Sequence, residues 1–254
     1  MSAQNLIVSL RGVGKTFDSG TEALAGLDLD VGVGEFVSLL GPSGCGKSTA
    51  LRIVAGLSAP SAGTVAWPQG TRQIGFVFQE PTLMPWATVS ANVALPLRLA
   101  HVDGRTADAA VQQSLVRVGL ADFGGAYPRA LSGGMKMRAS IARALVTEPD
   151  LLLMDEPFAA LDEITRFKLN NDLLALWQAL RRTVVFVTHS VFESVYLSQR
   201  ILVMSPRPGR IVAEIAIPAA YPRDEDFRTS AEYAGYCRQV AQALAAAMAG
   251  EHAA

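Results

Sequence analysis

Short apolar runs alternate with polar, glycine-bearing breaks along this chain, and the period of the pattern changes twice. Leu6 to Leu10, Leu27 to Val31 and Phe36 to Leu40 are apolar or alternating segments parted by glycine, the pattern of strands. Gly41 to Gly46 reads as a Gly-rich turn, and Ser48 to Ala55 as a helix closed by Gly56. Thr64 to Trp67 and Ile74 to Phe78 are predicted as further strands. The texture changes near Pro81, and from about Val89 to Leu145 the period is helical. Val111, Leu115 and Val118 fall at i, i+4 and i+7, one face of a helix that ends at Gly119. Ser140 to Leu145 continues a helix that stops before Pro149. Strands return at Leu151 to Met154 and Val184 to Thr188, with the helical stretch Arg166 to Leu180 between them. Continuous apolar strands alternating with helices predict a parallel sheet covered on both faces. A helical segment is therefore inserted into an α/β core. Ser230 to Met248 is predicted as a surface helix, and the charged cluster Arg223 to Arg228 as a solvated face.

The chain has 254 residues, half of them hydrophobic, enough for a sizeable core. Its net charge of -1 and pI near 6.3 argue against a general nucleic-acid binder. Met1 to Thr16 lacks the pattern of a secretory signal. The longest apolar runs, such as Leu151 to Met154 and Ile201 to Met204, fall far short of the ~20 residues of a membrane-spanning helix. Two distant cysteines, Cys45 and Cys237, offer neither a disulfide framework nor metal spacing, and read as reduced thiols.

Gly41-Pro42-Ser43-Gly44-Cys45-Gly46-Lys47-Ser48-Thr49 matches the full G-x-x-x-x-G-K-[ST] pattern, between an apolar strand and a helix as that motif requires. Its glycines let backbone N–H groups turn inward around phosphates, and the helix N-terminus adds partial positive charge. Lys47 reaches the β- and γ-phosphates, and the Ser48 hydroxyl suits Mg²⁺. Cys45, inside this loop, is expected to make the activity sensitive to thiol reagents. Gly12-Val13-Gly14-Lys15-Thr16 is a decoy: Ser9 stands where the first glycine is required, and the stretch reads as a loop between strands. Phe17, just after it, could stack on a base. Leu151 to Met154 ends in Asp155 and Glu156, and open α/β sheets bind ligands at the carboxyl ends of their strands. Asp155 there suits Mg²⁺, and Glu156 can polarise an attacking water. Ser132-Gly133-Gly134 opens another helix: Ser132 is a good N-cap and the glycines expose N–H groups, a second anion-binding terminus. One chain has little use for two phosphate sites; a head-to-tail dimer uses both.

With these motifs the chain resembles the ATP-binding subunits of ABC transporters over nearly its whole length. Gly41 to Thr49 matches the family's Walker A motif, Gln79 its Q-loop glutamine, Leu131 to Met135 its LSGGQ signature, and Leu151 to Glu156 its Walker B motif. Ala160-Leu161-Asp162 matches the D-loop, His189 the H-loop histidine, and Phe17 the adenine-stacking aromatic. The resemblance implies a P-loop NTPase (RecA-like) α/β core with an N-terminal antiparallel β subdomain and an inserted helical signature subdomain. It places core and β subdomain at 1–85 and 146–218, the signature subdomain at 86–145 and a helical tail at 219–254. It implies ATP and Mg²⁺, with Glu156, His189, Gln79 and Lys47 as catalytic residues and Ser48, Gln79 and Asp155 at the metal. Phe17, Gly41 to Thr49, Ser132, Gly133, Gly134 and Asp162 would bind nucleotide.

Met135 in place of the signature glutamine, Leu83-Met84-Pro85-Trp86 after the Q-loop and Ser205 to Ile211 resemble the importer branch for nitrate, sulfonates and taurine. That branch also contains importers for thiamine-type pyrimidines and riboflavin, and Ser190 after His189 differs from the His-Asp usual for sulfonate systems. The resemblance implies a homodimer, a multi-spanning permease, indirectly a solute-binding protein, no nucleic acid, and a peripheral location on the cytoplasmic face of the cell membrane. A soluble, non-transport ABC ATPase is the alternative. P-loop kinases and GTPases lack the Leu131 to Met135 signature.

Overall fold

The computed structural model describes residues 5–70 and 73–249. The chain divides into two compact units, Met1–Thr71 with Arg181–Ala254, and Arg72–Leu180.

In the first unit, β1 (Leu6–Thr16) pairs antiparallel with β2 (Glu22–Gly32) on one side and β4 (Ala62–Ala66) on the other. The stretch from Gly12 to Thr16 is not a loop, as its glycines suggest, but the second half of β1. Gly12 takes φ 58 where the pairing register shifts between Leu10 and Val13. A bulge lets the strand bend and continue, and glycine is the residue that tolerates it. The buried strands β3 (Phe36–Leu40), β7 (Thr183–Thr188) and β8 (Arg200–Met204) run parallel in the order β7-β3-β8, and β9 (Ile211–Ala216) closes this edge antiparallel to β8. α1 (Lys47–Val54) follows β3, and α6 (Val191–Leu197) follows β7.

The C-terminal segment is part of this unit. Past α7 (Glu225–Thr229), α8 (Ala231–Ala249) packs on α6 and β8 through Tyr233, Cys237 and Val240. The expectation of a solvated face at Arg223 is wrong: the residue is only 3% exposed. Its Nη1 donates to the carbonyls of Val195, Tyr196 and Ser198 at 2.8–3.0 Å, and Nη2 to Ile217 and Ala219 at 3.1 Å. Arg223 thus supplies donors to carbonyls at the end of α6 and after β9, and a charge cue in sequence cannot reveal that enclosure. Arg223→Met leaves those carbonyls without their donors, at a cost of about 2 kcal/mol after partial rehydration. The melting midpoint should fall by about 4–8 °C; an unchanged midpoint in calorimetry would refute the role.

In the second unit β5 (Ile74–Val77) and the fully buried β6 (Leu151–Asp155) pair in parallel. Between them in sequence lie α2 (Val89–Leu99), α3 (Gly104–Arg117) and α4 (Gly133–Leu145), and α5 (Glu163–Leu180) follows β6. Val111, Leu115 and Val118 are buried together, as their spacing predicts. Compactness groups β5 and β6 with these helices, whereas the resemblance sets apart only 86–145.

Candidate functional site

Strand register places the candidate residues of the first unit. Leu40 pairs with Thr188 at the last register position of the parallel β3 and β7. Gly41 and His189 therefore leave the sheet side by side at its carboxyl edge, where such sheets bind ligands. The loop turns back through Gly44 at φ 76 and Gly46 at φ 107 into α1, which has no side-chain N-cap and no acid in its first turn. A helix N-terminus without an acid of its own favours a bound anion there. A Cβ on Gly46 would lie 2.7 Å from the Ala23 carbonyl, so β2 abuts the loop and glycine is required. Lys47 is 3% exposed, and its ammonium donates to the carbonyls of Gly41 and Pro42, both at 2.8 Å. Pro42, Ser43 and Gly44 form the outer rim, and Ser48 and Thr49 begin the helix half-buried.

Phe17 leaves β1 beside Glu22, one residue from the Ala23 that touches the loop, and is 43% exposed. That exposure suits a stacking surface. Cys45 is buried, at 1% exposure, which corrects the expectation of ready attack by thiol reagents. Neither cysteine forms a disulfide.

The same logic places the candidates of the second unit. Val77 pairs with Met154, so Gln79 follows one strand end closely and Asp155 and Glu156 sit at the other. Asp155 is 6% exposed. Glu156 is held at φ 45, a left-handed conformation that costs a non-glycine residue about 1 kcal/mol or more. Strain of this kind clusters at functional sites and persists only where neighbours enforce it; Phe158, 1% exposed, anchors the turn.

Ser132 caps α4 by accepting the Met135 N–H at 3.3 Å, as its position predicts. The signature glycines have a further role. A Cβ on Gly134 would lie 2.7 Å from Thr165 Cγ2, and one on Gly133 3.3 Å from Leu161 Cδ2. Their lack of side chains lets α4 approach the segment around Asp162. Asp162 itself accepts the Thr165 N–H at 2.9 Å and caps α5; this bond, with the Thr165 hydroxyl, holds its carboxyl below the usual carboxylate range.

A profile described as ABC transporter matches residues 24–159. The chain belongs to the ABC transporter family. As an ABC ATPase it binds and hydrolyses ATP. A putative ATP-binding protein of Brucella abortus is 47% identical over 232 residues, covering 89% of this chain and 88% of that protein. An aliphatic sulfonates import ATP-binding protein of Pseudomonas syringae pv. syringae is 49% identical over 206 residues, covering 81% and 84%. Among solved structures, CbiO1 of Clostridium perfringens, part of the CbiONQ ABC transporter complex, gives a TM-score of 0.76 at 27% identity, covering 84% of this chain and 89% of that one. A dimeric ATP-binding cassette in a post-hydrolysis state, bound to ADP and Pi, gives 0.73 at 33% identity, covering 84% and 100%.

Within the cassette, two contacts escape sequence reading because their partners are distant or unmarked. Arg143 on α4 donates to the carbonyls of Pro81 and Thr82 at 2.8 Å and to the Thr82 hydroxyl at 2.9 Å, tying the signature helix to the loop after Gln79. Burial lowers its pKa without threatening its charge. Beside His189, the Thr188 hydroxyl donates to the buried Glu193 carboxylate at 2.5 Å and accepts the Ser190 N–H at 3.0 Å. The backbone on both sides of the histidine is thereby fixed, while its ring remains exposed.

Proposed function

We propose that the chain is the ATP-hydrolysing subunit of an importer for a small solute, acting as a pair of copies that enclose two Mg·ATP and drive a separate permease. The observation that carries this reading is the pair of glycine-bearing helix N-termini, on α1 and α4, neither with an acid in its first turn. In the proposed sandwich Lys47 and the N–H groups of the 41–49 loop hold the phosphates, and Phe17 stacks on adenine. Ser132, Gly133 and Gly134 of the other copy reach the γ-phosphate. Glu156 orients or deprotonates the attacking water, and His189 holds the γ-phosphate. Exposed Ile164 and Phe167, close to Asp162, are apolar surface that pairing would cover.

Ser48, Gln79 and Asp155 present hydroxyl, amide and carboxylate oxygens, a hard donor set that fits Mg²⁺. The ion would neutralise charge on the phosphates during transfer.

A permease contact at 81–91 is supported by how that loop is held. Asn92, fully buried, accepts the Met84 N–H at 2.6 Å and donates to the carbonyls of Met84, Ala87 and Thr88 at 2.9–3.2 Å. Trp86 projects from this braced loop at 76% exposure, so packing within its own subdomain does not explain it. A cavity of about 300 Å³ nearby, lined by Phe76, Phe78, Thr82, Leu99 and Arg143 among others, is of a size to receive part of a cytoplasmic helix. Among the described residues no helix is long and apolar enough to cross a membrane. We place the subunit peripherally, on the cytoplasmic face, held there by the permease, with a solute-binding protein as an indirect partner. The sulfonate-importer relative supports a sulfonate-like solute over pyrimidine or flavin types.

Tagged Glu156→Gln protein, pulled down from native membranes in mild detergent with Mg·ATP, should bring a multi-spanning permease with it. Adding Trp86→Ala should reduce that recovery about tenfold, as loss of a central aromatic anchor does. Recovery alone or with soluble partners would favour the non-transport ABC ATPase.

A further inference from the structure

The segment Ser205-Pro206-Arg207-Pro208-Gly209-Arg210, between β8 and β9, has no part in the chemistry above, yet it packs directly against the phosphate loop. The turn is braced internally: the Ser205 N–H donates to the Arg210 carbonyl at 2.9 Å, and the Ser205 hydroxyl accepts the Arg210 N–H at 3.1 Å. Gly209 bonds to β2 on both sides, donating to the Ala23 carbonyl at 2.9 Å and accepting the Ala25 N–H at 3.2 Å. A Cβ on Gly209 would lie 2.1 Å from the Cys45 carbonyl oxygen, so the turn touches the loop backbone with nothing between. Arg207 completes the contact, its Nε and Nη2 donating to the one carbonyl of Gly44 at 3.2 and 3.0 Å.

This contact has a geometric consequence. In a trans peptide the carbonyl and the following N–H point in opposite directions. With the Gly44 carbonyl held outward by Arg207, the Cys45 N–H faces into the loop, where it lies 3.4 Å from the Pro42 carbonyl. Gly44, at φ 76, has more freedom than any other residue type to rotate this peptide away.

We propose that Arg207 is a positioning residue for nucleotide binding: it fixes the 44–45 peptide so that the loop presents its N–H groups to the phosphates. This rests on the reading of 41–49 as the phosphate-binding loop. A guanidinium can place two N–H groups on one oxygen in a plane, whereas a lysine ammonium supplies a single point contact. The loop holds ground state and transition state alike, so its disorder weakens binding and leaves the chemical step alone.

The test is steady-state ATPase activity of Arg207→Ala, Arg207→Lys and Lys47→Ala, with melting midpoints, beside the unaltered protein. Arg207 is solvent-exposed, which keeps the effect modest. Arg207→Ala should raise KM for ATP about threefold to tenfold, with kcat within about twofold and an unchanged midpoint. Arg207→Lys should lie between. If Lys47→Ala weakens ATP binding and Arg207→Ala does not, the positioning role falls and the loop reading stands. If neither weakens it, the loop reading falls as well. A drop in kcat together with the midpoint would make Arg207 merely structural and overturn the proposal.

Discussion

Glu156→Gln is expected to keep ATP binding and lose roughly 100-fold or more of its turnover. Glu156 directly follows β6, beside a buried Asp155, with its backbone held at φ 45. A glutamine keeps its size and its capacity to hydrogen-bond, but cannot take a proton from water. The strained backbone gains nothing for folding, so a side chain whose only task is structural would not need it. The variant should therefore fold with an unchanged midpoint and bind nucleotide as tightly as before. Hydrolysis at the unaltered rate would remove Glu156 from the role of base. Weakened ATP binding would place it instead among the phosphate contacts.

Lys47→Ala should weaken ATP binding by about 100-fold, measured by titration with a fluorescent analogue. The ammonium is enclosed, at 3% exposure, with the Gly41 and Pro42 carbonyls as partners at 2.8 Å. Charge-assisted bonds from such a buried donor to phosphate oxygens are each worth about 1.5–3 kcal/mol, and a loss of ~2.7 kcal/mol is a 100-fold change. The mutation also removes a brace from the loop, so part of the loss is disorder in 41–46. Unchanged affinity would mean that the N–H groups of the loop and α1 suffice without the cation.

The phosphate loop was legible because its determinants are local: glycines, a lysine and a hydroxyl in nine consecutive positions, between a strand and a helix. The carboxylates at the end of β6 and the cap at Ser132 were legible for the same reason. Pairing of β3 with β7, which sets His189 next to Gly41, follows from two apolar runs 143 residues or more apart, and periodicity alone does not assign partners. The second half of β1 was missed because Gly12 and Gly14 look like a loop, while a bulge tolerates both. Arg223 was misread because a charged residue in a charged run gives no hint that five carbonyls surround it. Arg143 and Arg207 reach across 61 and 163 residues to carbonyls, and a backbone carbonyl leaves no mark on a sequence.

The central claim is that each nucleotide site is completed by a second copy of the chain. Sedimentation velocity of Glu156→Gln protein with saturating Mg·ATP tests it most directly. The account requires the 26.9 kDa chain to double in mass on adding ATP, and Ser132→Arg in the same background to abolish the doubling. A chain that binds ATP yet stays at its single mass, or that pairs equally well with Ser132→Arg, would contradict it.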